Sequence, residues 1–311
     1  MNLVYGLPRP INELPTVLTI GAFDGVHRGH QQLIGGVVQR ARAMDCQSAV
    51  LTFDPHPDVV IRPERALPVL TSIEERAEQI AGLGVDLLVV MPFTRELMSL
   101  AARDFMIQLC GAVALRELWI GWDFALGRKR EGDFHRLNDI GAELGYTVHP
   151  IERYTLESET ISSTRIRAAL QEGDVATAAH LLGRPFSARG EVVAGDKRGR
   201  TIGFPTANTA VDPQHTVPAN GVYVCRASVG GAQYGAVTNI GVRPTFDGTR
   251  RTVEAYLLDF ADEIYGQTLE LEFLHRLRGE QKFDGISALV EQITQDVAAA
   301  RGWLTHHHDD M

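Results

Sequence analysis

The stretch TVLTIGAFDGVHRGH, Thr16–His30, decides how the first half of the chain folds. Thr16–Ile20 is a short β-branched and apolar run, read as a buried strand that leads straight into Gly21. A helical pattern follows over Gln31–Ala43, with apolar positions at Leu33, Ile34, Val37 and Val38. Between them lie Phe23, Asp24, Gly25, His27, Gly29 and His30. The two histidines stand at i and i+3 near a helix start, where their rings can converge. Exposed backbone N–H groups at that start favour an anion, and Gly25 and Gly29 permit a tight turn and close approach of a phosphate. The spacing is neither GxGxxG nor GxxxxGK[ST], so neither the dinucleotide fingerprint nor the usual NTPase loop explains it. Polar capping of a surface helix is the competing reading, and zinc lacks an obvious third ligand.

Working outward, Ala49–Phe53, Asp86–Met91, Glu117–Ile120 and Tyr146–Val148 read as further strands. Helices are expected over Ile73–Ala81, Ala101–Cys110 and Leu137–Leu144, and a Pro-rich turn, DPHP, follows Phe53. Buried runs alternating with helices predict an α/β, Rossmann-like domain whose parallel sheet is covered on both faces. Two short helices, about Ser163–Gln171 and Asp174–Leu182, come next, and the boundary is placed near Leu182–Pro185. The rhythm then changes. Gly190–Ala194, Gly221–Val229, Gln233–Ile240, Thr252–Asp259 and Thr268–Leu277 read as glycine-bounded strands. A helix over Ile286–Ala300 has an apolar stripe at Ile286, Leu289, Val290, Ile293 and Val297. The second domain is therefore expected to be a small β-barrel with a C-terminal helix. The expected division is residues 1–183, residues 184–306 and a frayed tail at 307–311, which carries the histidines of HHHDDM.

The 311 residues suffice for two domains with full cores. A net charge of −9 argues against a general nucleic-acid binder. Cys46, Cys110 and Cys225 are far apart in apolar stretches and read as free thiols. The absence of a leader-like N-terminus or a membrane-length apolar run points to the cytoplasm, without a membrane partner. A monomer or a weak, transient oligomer is expected.

Two more constellations carry chemistry. In ISSTRIRAAL, Ile161–Leu170, Ser162, Ser163 and Thr164 can cap a helix and bond a phosphate, while Arg165 and Arg167 add positive charge. A plainly capped surface helix would look the same. In a parallel sheet, ligands gather at the C-terminal ends of strands, so this motif and the histidine loop could share one crevice. In GDKRGRTIGFPTAN, Gly195–Asn208, glycines and cations could wrap phosphate. Thr206 and Asn208 offer neutral oxygens at i and i+2, which suits magnesium carried by ATP; a solvated basic hairpin is the alternative. Glu254, in a strand-like apolar run, could be a salt-bridge partner, a solvent-facing residue or a general base.

GAFDGVHRGH resembles the HxGH motif of adenylyl-transferring nucleotidyltransferases, and ISSTRIR resembles that family's second phosphate-binding motif. TFDPHP (Thr52–Pro57) and GWDFALGRKREGD (Gly121–Asp133) are similar to the FMN adenylyltransferase module of bacterial bifunctional riboflavin kinase/FAD synthetase. The resemblance implies that Gly21, Phe23, Asp24 and Gly29 help form the ATP loop, and that His27 and His30 steady the ATP phosphates. It implies that Ser163, Thr164 and Arg167 hold the phosphates and the leaving pyrophosphate. Phe53, Pro55, His56 and Pro57 would lie near the flavin, with Asp123, Phe124, Gly127 and Arg128 along the same cleft. Leu126 departs from the phenylalanine usual in that phrase, which predicts altered packing or affinity. His56 read alone is an ordinary turn histidine.

GRTIGFPTAN resembles the PTAN signature of riboflavin kinases, and TNIGVRPTF (Thr238–Phe246), VEAYLLDF (Val253–Phe260) and LRGEQKFDG (Leu277–Gly285) follow in that module's order. The resemblance implies that Thr206 and Asn208 coordinate Mg2+ and ATP phosphate. Glu254 would activate the ribityl hydroxyl of riboflavin, and Gly195, Lys197, Gly203, Phe204 and Pro205 would form the nucleotide loop. Arg278 and the following GEQKF segment would wall the flavin. Tyr256 stands where the family often has histidine. The implied substrates and products are ATP, riboflavin, FMN and FAD. Alternatives are a chain with one live activity, a non-catalytic flavin or nucleotide binder with a regulatory role, and an RNA-binding reading of Arg189, Lys197, Arg198 and Arg200.

Overall fold

Alternate residues of the apolar runs face opposite sides of one sheet, and both sides are covered. The computed structural model describes residues 1–8, 12–65, 67–152, 155–156, 159–195, 198–245 and 248–307. The first of two units is Met1–Ser163. It runs β1 (Asn2–Tyr5), β2 (Asn12–Ile20), α1 (Arg28–Ala43), β3 (Gln47–Asp54), α2 (Pro57–Ile61), α3 (Ile73–Gly82) and β4 (Leu87–Pro92). There follow α4 (Arg95–Ser99), α5 (Ala102–Cys110), β5 (Val113–Gly121), α6 (Phe134–Leu144), β6 (Thr147–Ile151) and the short antiparallel pair β7 (Thr155–Leu156) and β8 (Glu159–Thr160).

Strands β1 to β6 form one parallel sheet in the order β1-β4-β3-β2-β5-β6. Along β2, β3 and β4, Leu18, Ile20, Ala49, Leu51, Leu87 and Val89 pack with α5 and α6 residues Phe105, Met106, Leu109, Leu137 and Ile140. The intervening Val50, Leu88 and Val90 pack on the other face with Leu33, Ile34 and Val38 of α1 and with Ala77 and Ile80 of α3. A strand buried on both sides shows no polar alternation, which is why these strands read as continuous apolar runs. The strand order reverses between β2 and β5, and open α/β sheets bind their ligands outside the C-terminal strand ends at such a point. Buried Glu117 on β5 ties α1 to the sheet: Arg40 donates to it at 2.7 Å and Trp119 Nε1 at 2.9 Å. Arg40 and Trp119 hold the Glu117 carboxyl below its ordinary range.

The second unit is Thr164–Met311. Its elements are α7 (Ser163–Glu172, from the last residue of the first unit), α8 (Val175–Leu182), β9 (Phe186–Val193), α9 (Arg198–Thr201), β10 (Ala207–Val211), β11 (Gly221–Val229), β12 (Ala232–Thr245), β13 (Gly248–Leu257), β14 (Thr268–Arg278) and α10 (Ile286–His306). Six strands close into a barrel, β10-β13-β12-β11-β14-β9, which leaves no free edge. Large side chains such as Tyr223 and Phe273 fill its centre, packed edge to face at 5.5 Å. Helix α10 covers Val222, Val224 and Val237 with Val297, Ala300, Trp303 and Leu304.

The compact packing units themselves divide at Ser163/Thr164. Helix α7 is bonded to the barrel unit: Ala219 N, just before β11, donates to Leu170 O at 2.8 Å, and Arg276 Nη1 on β14 donates to Glu172 O at 2.7 Å. Two departures from the sequence reading have physical causes. Strand β10, read as part of a motif rather than as a strand, is what closes the barrel between β9 and β13. Ile286, counted in the apolar stripe, is 69% exposed; the buried face of α10 starts later and includes the carboxylate of Asp296. Lys197, Phe246 and residues 308–311 of the tail lie outside the described residues.

Candidate active sites

Three segments named in the sequence reading leave the C-terminal ends of adjacent strands. Gly21–His30 leaves β2, Trp122–Arg128 leaves β5, and Pro55–Pro57 leaves β3. The first is a strained loop. Phe23 (φ 49°) and Val26 (φ 38°) are left-handed without being glycine, and both are buried. Such backbone costs about 1–3 kcal/mol per residue and persists only where packing enforces it. Gly21 is required, because a Cβ there would stand 2.9 Å from the Phe23 ring.

The loop delivers both histidines to the first turn of α1. His27 is the N-cap, its Nδ1 accepting from His30 N at 3.2 Å. Its ring stacks on that of His30 at 3.6 Å, and Phe23 meets His30 edge-on at 5.2 Å. His30 Nδ1 is enclosed and makes no hydrogen bond among the described residues. Burial, then His27, then Arg76 hold the His30 imidazole well below its usual pKa. Asp24 is buried and accepts from Leu70 N at 2.9 Å and Thr71 N at 3.1 Å, while its backbone O accepts from Ser163 Oγ at 2.9 Å. That last bond joins the second motif to the histidine loop. Arg167 is i+4 from Ser163, on the same face of α7, and is buried, and Thr164 is in the first turn. Gly29 lies in the first turn of α1.

The residues expected near a flavin are positioned differently from one another. Phe53 packs edge-on to Phe93 at 5.3 Å and closes the core of one sheet face. The Asp54–Pro55 bond is cis, His56 caps α2 by accepting from Asp58 N at 3.2 Å, and Pro57 is the first residue of α2. After β5, Phe124 and Leu126 pack against the core, so leucine at 126 fills apolar space. Asp123 O accepts from Arg130 Nη2 at 2.7 Å. Gly127 (φ 75°) is needed because a Cβ would stand 2.6 Å from Ala102 N, and Arg128 N then bonds Leu100 O at 2.8 Å.

On the barrel, register decides the geometry. Asn208 on β10 is the direct partner of Glu254 on β13, and Glu254 is also the partner of Asn239 on β12. Opposed residues project to the same face. The flanking Thr209, Val253 and Ala255 are buried, which turns Asn208 and Glu254 away from the barrel interior. Gly195 and Gly199 keep this face open. A Cβ on Gly195 would collide with Asn208 Nδ2, and one on Gly199 would meet Phe204 O and lie 3.4 Å from Thr206 Oγ. Gly203 is left-handed (φ 89°) in the same turn, and Phe204 packs edge-on to Tyr256 at 5.4 Å. A cavity of about 330 Å³ is lined by Gly195, Gly199, Pro205, Thr206 and Asn208 together with Ala255, Leu257 and Phe260–Tyr265; Glu254, next to Ala255 in the chain, is not part of that lining. The segment 260–265 and Asn239 carry no mark in the reading by composition; Asn239 could have been found as the polar residue inside TNIGVRPTF. Arg278 is drawn to α10, donating to both oxygens of Asp296 at 2.7–3.1 Å, and its guanidinium lies over Phe283.

His30 gives a testable pH effect. The unfolded imidazole takes up a proton near 6.5, whereas the folded one resists until lower pH. Stability is therefore unaffected above about 6.5 and falls as pH drops below it, by up to about 1.4 kcal/mol per pH unit. Denaturant unfolding of the first unit between pH 7.5 and 5.5 should show that slope, and His30→Gln should flatten it. An unchanged slope in the variant would contradict the assignment.

Comparison with known proteins assigns a family to each half of the chain. Residues 10–165 match the family described as FAD synthetase, and residues 182–304 match that described as riboflavin kinase. A bifunctional riboflavin kinase/FMN adenylyltransferase of Bacillus subtilis is 40% identical over 286 residues, covering 90% of each chain. The protein of the same name from Escherichia coli K12 is 38% identical over 306 residues, covering 97% of each. A crystal structure described as a macrolide-efflux protein from Streptococcus pneumoniae covers 97% of this chain and 100% of its own, with 31% identity and a TM-score of 0.88. Efflux is said of that protein; among the described residues here, no helix is long and apolar enough to cross a membrane. With both catalytic modules matched in order along one polypeptide, the chain belongs to the bifunctional riboflavin kinase/FMN adenylyltransferase family, which uses ATP to convert riboflavin to FMN and FMN to FAD.

Proposed function

We propose that Glu254, Thr206 and Asn208 carry riboflavin phosphorylation on the barrel, and that His27, His30, Ser163, Thr164 and Arg167 carry adenylylation of FMN. The observation that carries this reading is the register that opposes Asn208 and Glu254 on one barrel face, beside a cavity lined by Thr206. A carboxylate there can accept the proton of the ribityl hydroxyl as its oxygen bonds the γ-phosphorus and ADP leaves. Thr206 and Asn208 supply neutral oxygens next to a cradle that a Cβ at Gly195 would fill, which fits a hard cation. They would hold Mg2+, which supplies positive charge to the ATP phosphates when bound.

In the second reaction an FMN phosphate oxygen bonds the α-phosphorus of ATP and the bond to pyrophosphate breaks. His27 and His30, held neutral by burial in the case of His30, offer N–H donors where charge grows on the phosphoryl oxygens. Ser163, Thr164 and Arg167 bind the departing pyrophosphate, so residues 1–183 act as the adenylyltransferase domain and 184–306 as the kinase domain. Gly21, Phe23, Asp24 and Gly29 shape the ATP loop. Phe53, Pro55, His56, Pro57, Asp123, Phe124, Gly127 and Arg128 line the flavin side. Gly195, Lys197, Gly203, Phe204 and Pro205 form the kinase nucleotide loop. Arg278 borders the riboflavin. The chain acts in the cytoplasm as a monomer or transient oligomer, without nucleic acid or membrane.

The magnesium assignment is tested by titrating the metal into riboflavin phosphorylation at fixed ATP. Asn208→Ala should raise the magnesium concentration at half-maximal rate by about tenfold or more, in line with loss of one polar contact of about 1.4 kcal/mol. An unchanged magnesium dependence would remove Asn208 from the metal site.

A further inference from the structure

Arg76 on α3 is the most buried arginine or lysine among the described residues of the first unit, 2% exposed, and no motif of the sequence includes it. It makes no ion pair with any described residue, and its Nε is enclosed without a hydrogen bond. Burial disfavours the charged guanidinium, and the carboxylates of Asp24, Asp54 and Glu74 compensate it only in part. The bonds that it does make converge on the site. Nη1 donates to Thr52 Oγ at 3.2 Å and to Phe53 O at 3.1 Å, and Nη2 to Thr71 O at 3.4 Å. Thr52 Oγ in turn donates to Ala22 O at 3.0 Å, and Thr71 Oγ accepts from Gly25 N at 3.0 Å. The Leu70 and Thr71 amides donate to Asp24. One side chain thus braces the end of β3, the segment before α3 and, through two hydroxyls, the loop that carries His27 and His30.

Resting on the adenylyl-transfer reading of that loop, we propose that Arg76 is a positioning residue for FAD formation, fixing the distance between the histidine loop, which holds ATP, and the Phe53–Pro57 turn, which faces the flavin. Its fork has the geometry for this: two nitrogens reach two backbone carbonyls and a hydroxyl on different segments, which a lysine's single ammonium cannot span. The charge has a second effect. Asp24, Asp54 and Glu74 favour the charged guanidinium against burial. The cation, together with His27, disfavours protonation of His30. Arg76 therefore sets both the spacing of the site and the neutral state of one of its imidazoles.

The test uses the full chain with Arg76→Lys and Arg76→Met. FAD formation from supplied FMN is assayed for kcat and KM, riboflavin phosphorylation is assayed in the same preparations, and the His30 ring is titrated by NMR. A misplacement of about 1 Å costs up to about 100-fold in rate. Both variants should lose about 10- to 100-fold in kcat for FAD formation, with KM for ATP changed less than threefold and riboflavin phosphorylation unaltered. The His30 titration should move upward in Arg76→Met and stay in Arg76→Lys. A melting curve on each variant separates this from unfolding. The proposal is overturned if Arg76→Lys makes FAD at the wild-type rate, if FAD formation falls only as far as the folded fraction does, or if the His30 titration is the same in all three proteins. Wild-type protein that makes no FAD would instead overturn the reading of the loop itself.

Discussion

Glu254→Gln is expected to slow riboflavin phosphorylation by about 10²- to 10⁴-fold, the usual worth of a general base, while leaving adenylylation of supplied FMN unchanged. Glutamine keeps the size of the side chain and the backbone pairing of β13 with β10 and β12. The residue is half-buried on the barrel's outer face, between Asn208 and Asn239, so the substitution leaves the inward-facing Val253, Ala255 and Leu257 in place. The loss should therefore fall on kcat, with little change in KM for ATP, because the cavity proposed for the nucleotide is lined by other residues. Initial rates with riboflavin and with FMN as separate substrates would check it. Equal loss in both assays would mean that the substitution damages the chain generally, and an unchanged kinase rate would remove Glu254 from the chemistry.

His27→Ala is expected to do the reverse: FAD formation falls about 10²- to 10³-fold, as for loss of one donor to a developing charge, and riboflavin phosphorylation persists. The complication is that His27 also caps α1, and loss of a cap costs about 1 kcal/mol. His27→Asn separates the two roles. Asparagine is a good N-cap, so it should restore the stability of the first unit without restoring adenylyl transfer. If His27→Asn recovers most of the FAD-forming rate, then capping, rather than phosphate binding, is what the histidine does.

The fold was legible wherever burial was one-sided or two-sided in a regular way. Strands β3 and β4 are apolar on both faces, so QSAVLTFD and LLVVMP announce themselves. Strand β1 escaped notice because Asn2–Tyr5 is a short edge strand with Leu3 and Tyr5 exposed. Strand β10 is hidden by its composition: in ANTAV the buried position is the polar Thr209, so no apolar alternation marks it, and only pairing with β9 and β13 makes the segment a strand. Helix α10 was read by period alone, and a period cannot tell that Ile286 precedes the covered part of the helix or that Asp296 is buried to receive Arg278.

The site was legible in its motif residues and silent elsewhere. His27, His30, Thr206, Asn208 and Glu254 stand in recognisable phrases. Arg76 sits in EERAEQ, which reads as a solvated charged helix face, yet Glu75 and Arg76 are both buried. Nothing in the spacing of that run distinguishes the buried charges from exposed Glu74 and Glu78 neighbours; only the loop packed over α3 does. The far wall of the kinase cavity, Phe260–Tyr265, is likewise set by tertiary packing.

The most direct test of two working sites on one chain is a time course of purified protein with riboflavin, ATP and Mg2+, with the flavins separated at intervals. FMN should rise first and then give way to FAD, and the Glu254→Gln and His27→Ala proteins, each inactive in one half, should together restore FAD formation when mixed. FMN that accumulates without FAD in the wild-type time course, or a mixture that makes no more FAD than either variant alone, would contradict the account.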